Sequence, residues 1–268
     1  MTSFATGKSG TIGRHLSNKV QPLVVQLEQP DFILELPEFK KNDHLIHLAG
    51  IVGTNLVDRN TILSQKVNVQ ATKSLAEYFL QNDSGRFIYI STSHIYKKSQ
   101  NVLIESSPLE PISNYAKQKF EAENILLDLF HHDPARLCIL RVFSVLDWEV
   151  PEFSLGGAIA KLADYNSEFN LANSEDIRDF LTPGKIASVI EEVANNEQIY
   201  GILNICSGVG KSIAQAAQEM LNIIGVRIPK NRFLPGHSAM PYIVGSNSKL
   251  LSMVPELDLE WKPSSRKL

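Results

Sequence analysis

Tyr115 and Lys119 stand four apart in the run Ser113-Asn114-Tyr115-Ala116-Lys117-Gln118-Lys119, a spacing that sets both side chains on one face of a helix. A phenol titrates near pH 10 and is a poor acid–base group at neutrality, but an ammonium beside it stabilises the phenolate and lowers that value. Upstream, Phe87-Ile88-Tyr89-Ile90-Ser91-Thr92-Ser93 is an apolar, strand-like run that ends in three hydroxyls. A threonine hydroxyl at such an end can orient a substrate oxygen toward the phenol. Thr92, Tyr115 and Lys119 therefore form a candidate acid–base set. Tyr-x-x-x-Lys on its own has a bland reading, a pair on a solvated helix face, and it becomes specific only with the hydroxyl-ended strand and the turn that opens the chain.

That turn is Thr6-Gly7-Lys8-Ser9-Gly10-Thr11-Ile12-Gly13, with the spacing G-x-x-G-x-x-G after a β-rich run. In a dinucleotide site one glycine allows the tight turn, one lets backbone N–H groups approach a pyrophosphate, and one lets the helix pack close to the strand. As an isolated motif it is weak, and a plain turn is the competing reading. An acidic reader of the adenosine ribose belongs at the end of the second strand, about 20 residues on. Residues 23–27 are the expected strand, and Glu28 ends it only 15 residues past Gly13, so the intervening helix must lack about one turn. Glu28 would accept hydrogen bonds from ribose hydroxyls and repel a 2′-phosphate, which favours NAD. A solvated carboxylate is the alternative, and Lys8 and Arg14 beside the turn keep NADP open.

These side chains need a scaffold that gathers strand ends and helix starts. Near-continuous apolar runs at 3–6, 23–27, 44–48, 87–91 and 137–142 predict parallel strands covered on both faces. Apolar residues recur at threes and fours over 67–80 (Val67, Ala71, Leu75, Tyr78, Phe79) and over 115–130 (Ala116, Phe120, Ile125, Leu126, Leu129), which predicts helices. The alternation gives an α/β fold, a Rossmann-type doubly wound parallel sheet. After about Asp147, Pro151, Gly156-Gly157, Pro183-Gly184 and Pro235-Gly236 break the chain into short pieces. The expected division is an NAD(P)-binding domain over 1–148 and a smaller C-terminal substrate lobe over 149–268, with interleaved segments.

Composition narrows the function. With 268 residues, 43% apolar and 21% charged, the chain can bury a sizeable core and is not a disordered one. Lys and Arg number 26 against 29 Asp and Glu, a net charge of −3. That balance offers no basic field for a phosphate backbone, so no nucleic-acid partner is expected. No apolar stretch approaches the roughly 20 residues of a membrane span, and Met-Thr-Ser-Phe-Ala-Thr-Gly-Lys-Ser-Gly lacks the pattern of a signal peptide. Cys138 and Cys206 sit in apolar runs and read as buried thiols of a reducing cytoplasm. The histidines show no metal spacing, so no metal is expected, and His131-His132 reads as a solvated helix end.

Taken together, these segments resemble the extended short-chain dehydrogenase/reductase superfamily, and within it the NAD-dependent epimerase/dehydratase family acting mainly on nucleotide-sugars. The resemblance runs in order through 6–13, His47-Leu48-Ala49-Gly50, Asn68-Val69-Gln70-Ala71-Thr72, Ser91-Thr92-Ser93-His94-Ile95-Tyr96, 111–123, Leu140-Arg141-Val142-Phe143, Arg178-Asp179-Phe180 and Leu203-Asn204-Ile205-Cys206-Ser207-Gly208. The glycine turn is also similar to that of dTDP-4-dehydrorhamnose reductases.

The resemblance implies a hydride transfer on a nucleotide-diphosphate sugar, with NAD as cofactor and NADP not excluded, and it admits a homodimer. Tyr115 would be the acid–base residue, Lys119 would bind the nicotinamide ribose, and Thr92 would hold the reacting oxygen. Thr11 and Ile12, with Gly7, Gly10 and Gly13, would lie against the pyrophosphate. Leu48, Ala49 and Gly50 would line the adenosine side, with Asn68 and Ser91 near the cofactor and Phe143 beside the nicotinamide. Ser93, His94 and Ser144 would meet the substrate, and Arg178 its diphosphate. His94 would either move a second proton or serve as a polar pocket wall.

The sequence also departs from the family at three places. Ser144 stands where asparagine is common, no third strand is placeable between Gln29 and Asp43, and Leu181-Thr182-Pro183 lacks the aspartate usual before the next helix. Two readings from other classes differ in what they need. A reductase of a small non-nucleotide carbonyl compound has no use for an anion partner such as Arg178. A non-catalytic nucleotide-sensing protein has no use for Thr92, Tyr115 and Lys119 together.

Overall fold

The computed structural model describes residues 2–82, 84–163 and 169–265. The strands β1 (Ser3–Thr6), β2 (Val20–Pro22) and β3 (His44–His47) lead into α1 (Thr54–Arg59), α2 (Thr61–Gln65), a π-helical turn (Lys66–Gln70) and α3 (Ala71–Gln81). Next come β4 (Phe87–Thr92), α4 (Asn114–Leu129), β5 (Leu137–Val142), β6 (Ser144–Val145) and α5 (Leu155–Leu162). The chain continues through β7 (Ile177–Leu181), α6 (Pro183–Asn195), β8 (Gly201–Ile205), β9 (Gly210–Ser212), α7 (Ile213–Ile223), β10 (Tyr242–Ile243) and α8 (Ser248–Met253).

Six strands form one parallel sheet in the order β2-β1-β3-β4-β5-β8. Every residue of β3, β4 and β5 is buried, as central strands covered on both faces require. Leu75 and Phe79 of α3 and Ala122 and Leu126 of α4 pack on Leu45, Phe87 and Ile139 from one side. Ile186, Val189, Ile190 and Val193 of α6 cover Ile46, Ile88 and Leu140 from the other. This is the doubly wound Rossmann-type sheet.

Both α6 and β8 come from beyond residue 148, so the second half of the chain completes the first sheet. The rest of that half, together with β6 from just before it, forms a small sheet, β10-β7-β6 with β9 antiparallel to β7, over its own core of Trp148, Ile159, Leu162, Phe180, Met220 and Trp261. Thr182 caps α6, its Oγ1 accepting the Lys185 amide at 3.3 Å, and so takes the helix-starting role of the absent aspartate.

The β1–β2 connection differs from expectation in two ways. The second strand is Val20–Pro22, not 23–27. Leu23 and Leu27 are buried, but they pack beside Phe32, Leu36 and Phe39 in irregular chain, and only the Leu23 amide still reaches β1, at Ala5. Burial without a ladder imitates the strand pattern. The crossover helix, moreover, is not one turn short. It is a single 3₁₀ turn, Gly13–His15, because the glycine turn takes up residues 7–12 and leaves only 13–19 for both a helix and its link to β2. Lys8 Nζ donates to the carbonyls of Ser17 (2.8 Å) and Val20, and the Ser17 amide donates to Glu191 of α6, which holds the short loop down. Beside it lies a cavity of about 300 Å³ lined by Ser3, Ser17, Lys19, Val20, Glu191, Ala194 and Asn195. Beyond β2, Phe32–Glu35 is another 3₁₀ turn; no strand forms between β2 and β3, and β2 is the edge of the sheet.

Candidate active site

Thr92 is the last residue of β4, and α4 carries Tyr115 in its first turn and Lys119 one turn later. Ser113 sets that start, its Oγ accepting the Ala116 amide at 3.2 Å. The Thr92 hydroxyl lies near enough to the Tyr115 phenol to lower its pKa, and Thr92 Oγ1 accepts the His94 amide at 3.3 Å as cap of the 3₁₀ turn Ser93–Ile95. Lys119 Nζ donates to the Ile90 carbonyl at 2.8 Å and lies 4.6 Å from the centre of the Tyr89 ring. All three side chains are buried.

Burial pushes Tyr115 up to about 12, against the Thr92 hydrogen bond that lowers it. Burial likewise pulls Lys119 down to about 8, against the Glu123 charge that raises it. The expected depression of Tyr115 by Lys119 is therefore corrected. The ammonium turns toward Ile90 and Tyr89, and desolvation of the phenol dominates. At neutral pH the set holds a protonated phenol beside a charged lysine, ready to give a proton.

The glycine turn packs where side chains cannot. Gly7 has φ +68°, and a Cβ there would stand 2.7 Å from the Ala49 amide nitrogen; one on Gly13 would collide with the Gly7 carbonyl. The Gly10 amide closes the turn onto Gly7 O at 2.9 Å, and no backbone carbonyl among the described residues takes the amides of Thr11 or Ile12. Thr6 Oγ1 joins His47 Nδ1 (2.7 Å) to the Ala49 amide (3.2 Å), which fixes the exit of β3 at Leu48-Ala49-Gly50.

Asn68, presented by the π-helical turn, accepts the Ile51 amide at 2.8 Å and donates to the Ile51 carbonyl and to Gln118 Oε1, both at 2.9 Å. A Cβ on Gly50 would sit 2.9 Å from Asn68 Oδ1 and 3.9 Å from Lys119 Nζ. Asn68 thus pins the 50–51 loop beside the lysine. Val25, Leu27, Glu28, Ala49, Gly50, Ile51, Leu63 and Val67 line a cavity of about 310 Å³, mostly apolar with one carboxylate, as an adenosine site would be. Glu28 reaches it from a turn well beyond β2 rather than from the strand's end. Both nearby cations are engaged elsewhere: Lys8 on the loop carbonyls, and Arg14 on the carbonyl of Glu149 and, at 3.9 Å, its carboxylate. The crowded glycines, this cavity and the buried ammonium fit a nicotinamide dinucleotide.

Two residues past Thr92, His94 is exposed. The protein packed around its ring and then the Arg178 charge lower its pKa, so it is neutral at pH 7 and Arg178 lies within reach of it. A neutral imidazole is a pocket wall rather than a ready proton source. Arg178, on β7, donates to Asp176 Oδ2 at 2.9 Å, to Ser238 Oγ at 3.1 Å and to the Ile177 carbonyl at 2.9 Å. Its guanidinium is therefore held in place.

Four other expected residues are held by packing or hydrogen bonds of their own. The Ser91 hydroxyl donates to Glu123 and so points at α4. Ser93 is buried in the 3₁₀ turn, and Ser144 opens β6 opposite Phe180. Phe143 is buried in a cluster with Tyr96, Leu103, Cys206 and Ile243, its ring centre 6.3 Å from that of Tyr96. That is a packed layer.

Behind the site runs a buried polar chain that motif reading missed. Arg141 of β5 donates to Glu123 of α4 (Nη2 2.8 Å, Nε 3.2 Å) and through Nη1 to the Tyr96 hydroxyl and the Glu105 carbonyl, both at 3.0 Å. Tyr96 in turn donates to Asn204 Oδ1 at 2.7 Å. Burial opposes the Arg141 charge, but the Glu123 hydrogen bonds and charge outweigh it and raise its pKa. The legible signal was an arginine inside an apolar strand. Asp179, also buried, accepts the Ser207, Gly208 and Gly245 amides at 2.6, 3.0 and 3.3 Å and ties β7 to the two loops that follow β8 and β10. Among the described residues, no three His, Cys, Asp or Glu side chains gather as a metal site would need, and no helix is long and apolar enough to cross a membrane.

Comparison with known proteins points to one family. The sequence model of the NAD dependent epimerase/dehydratase family matches residues 4–206. A GDP-6-deoxy-D-talose 4-dehydrogenase of Aggregatibacter actinomycetemcomitans is 24% identical over 272 residues, 95% of this chain and 91% of that protein. A dTDP-D-glucose 4,6-dehydratase of Mus musculus is 26% identical over 78% of this chain, which spans only 60% of that protein. Among solved structures, a UDP-glucose 4-epimerase of Thermus thermophilus in complex with NAD superposes with a TM-score of 0.81 at 18% identity, over 97% of this chain and 94% of that one. RMD from Pseudomonas aeruginosa complexed with NADPH gives 0.78 at 21%, over 98% and 94%. At such identities the likeness concerns the fold.

Proposed function

The chain belongs to the NAD-dependent epimerase/dehydratase family, and on that premise we propose that it transfers a hydride at a carbon of a nucleotide-diphosphate sugar, with a 4-keto sugar as intermediate or substrate. The observation that carries the proposal is the buried Thr92–Tyr115–Lys119 set at the carboxyl end of β4, with the Asn68-pinned loop on one side and Arg178 on the other. When bound, the dinucleotide supplies or takes the hydride. Tyr115 Oη holds the proton that moves to or from the sugar oxygen, and Thr92 Oγ1 fixes where that oxygen sits. Lys119 keeps a positive charge beside the reacting groups and offers N–H donors to ribose hydroxyls. Arg178, braced by Asp176, presents its remaining N–H groups to the diphosphate, a charge-assisted contact.

A panel of nucleotide-sugars, each with NAD or NADH, analysed by mass spectrometry and chromatography of products, tests the reading. Conversion at the sugar carbon of at least one is expected. Turnover of simple ketones alone would replace it with the small-carbonyl reductase. The proposal includes a cytoplasmic location, for Cys138 and Cys206 are buried free thiols, suited to a reducing compartment; light scattering reads whether two copies assemble.

Two results follow for binding. Arg178→Ala is expected to raise KM for a nucleotide-sugar by about 10- to 150-fold, the loss of one charge-assisted hydrogen bond in a closed pocket. NADH affinity should stay near wild type, and an unchanged KM would remove the diphosphate role. NADH is expected to bind about five- to tenfold tighter than NADPH, because Glu28 stands in the adenosine cavity while Lys8 and Arg14 are tied elsewhere. Calorimetry with both cofactors checks this, and Glu28→Ala should narrow the gap.

A further inference from the structure

We infer that the dinucleotide is an exchanging co-substrate which leaves in every turnover, so that the chain works as a net oxidoreductase and does not return the hydride to the same sugar; this rests on the function proposed above. The ground is the pyrophosphate end of the site. A full helix behind a glycine turn contributes several free amides and about half a positive charge, because many peptide dipoles line up. Here three residues, Gly13–His15, stand in its place. The amides of Gly10, Arg14, His15 and Leu16 are taken by the carbonyls of Gly7, Gly10, Ile12 and Gly13 at 2.9 to 3.1 Å. Of the two cations beside the turn, Lys8 is bonded inward to Ser17 and Val20 and Arg14 sideways to Glu149.

The turn keeps amides that no backbone carbonyl takes, Thr11 and Ile12 among them, but it offers the diphosphate only the short dipole of a three-residue helix and no free cation, whereas the reacting end is fully built around Thr92, Tyr115 and Lys119. The imbalance weakens retention without disturbing the chemistry. Losing the helix terminus and its cations costs on the order of 10- to 100-fold in dissociation constant, and such differences fall mainly on the off-rate. An enzyme that restores its hydride within one cycle gains from a slow off-rate; one that consumes a reduced dinucleotide per sugar needs a fast one. In the reducing direction the ketone carbon takes a hydride and its oxygen takes the Tyr115 proton. One reduced nicotinamide dinucleotide is oxidised per sugar, and solvent returns a proton to Tyr115.

The test begins with the full chain, gently purified, desalted and then denatured, with the released nucleotide measured by mass spectrometry. Far less than one dinucleotide per chain is expected. Calorimetry with adenosine and with ADP isolates the turn: ADP is expected to bind within about threefold of adenosine, since the turn adds little for the two phosphates. With a keto nucleotide-sugar, NADH in large excess over enzyme should be consumed one for one. A full equivalent of dinucleotide surviving desalting, or ADP binding about a hundredfold tighter than adenosine, overturns the inference and leaves the proposed function standing. Failure of both NADH and adenosine to bind overturns that function, and the inference with it.

Discussion

Tyr115→Phe is expected to lower kcat/KM by about 10²- to 10⁴-fold, the usual contribution of a positioned acid–base group, and to leave NADH affinity almost unchanged. The ring stays in place, so the packing at the start of α4 survives; only the hydroxyl that meets Thr92 is lost. Initial rates together with fluorescence titration of NADH separate the two effects. A variant within threefold of wild-type activity would take the acid–base role away from Tyr115.

The pH dependence carries a second signature. Burial holds the Lys119 pKa at about 8, below the ordinary lysine value of 10.5, and holds Tyr115 at about 12. Below about 8 the lysine is charged and the phenol is protonated, which is the form that reduces a ketone. As pH rises through about 8 Lys119 loses its charge while Tyr115 keeps its proton, so the reduction rate should fall there on a limb belonging to the lysine. The small residual rate of Tyr115→Phe should show the same limb. A wild-type profile flat to pH 10 would contradict the buried ammonium.

Local geometry was legible in the sequence; distant pairing was not. Tyr115 and Lys119 could be matched because four residues along a helix is a short-range fact. Thr92 could be added because an apolar strand ending in hydroxyls marks the carboxyl edge of a parallel sheet. Glu123 and Arg141, by contrast, meet across the α4–β5 interface, and nothing in either neighbourhood announces the other. The same holds for Asn68 with Ile51 and Gln118. Residues 23–27 show a more instructive failure. The nearly continuous apolar run Leu23-Val24-Val25-Gln26-Leu27 reads as a covered strand, yet Val24 is 86% exposed and the burial of Leu23 and Leu27 comes from packing in irregular chain. The spacing from Gly13 to Glu28 signalled a shortened helix. Its near-complete loss was hidden because the misplaced strand left the connection longer in appearance than the sheet required.

Glu123→Leu is expected to destabilise the fold by about 3–5 kcal/mol, the penalty for leaving a buried charge without its partner. The Glu123 and Arg141 side chains are 1% and 2% exposed, joined at 2.8 Å, and Arg141 has no route to water that would relieve the loss. In a domain of this size that shift lowers Tm on the order of 10 °C, readable by thermal melting or denaturant titration. Replacing both partners, Glu123→Leu with Arg141→Met, should recover much of the loss, because an apolar pair leaves no uncompensated charge, although Tyr96 and the Glu105 carbonyl then lose a donor. Equal melting of Glu123→Leu and wild type would mean that the pair does not hold α4 against β5. The gentler Glu123→Gln links this chain to catalysis. Glu123 is the charge that raises Lys119 against its burial, so neutralising it should carry the alkaline limb of the rate profile below about 8, with Tyr115 and Thr92 untouched. A limb that stays in place while stability falls would confine Glu123 to holding the fold, whereas movement of both makes it a positioning residue for the lysine as well.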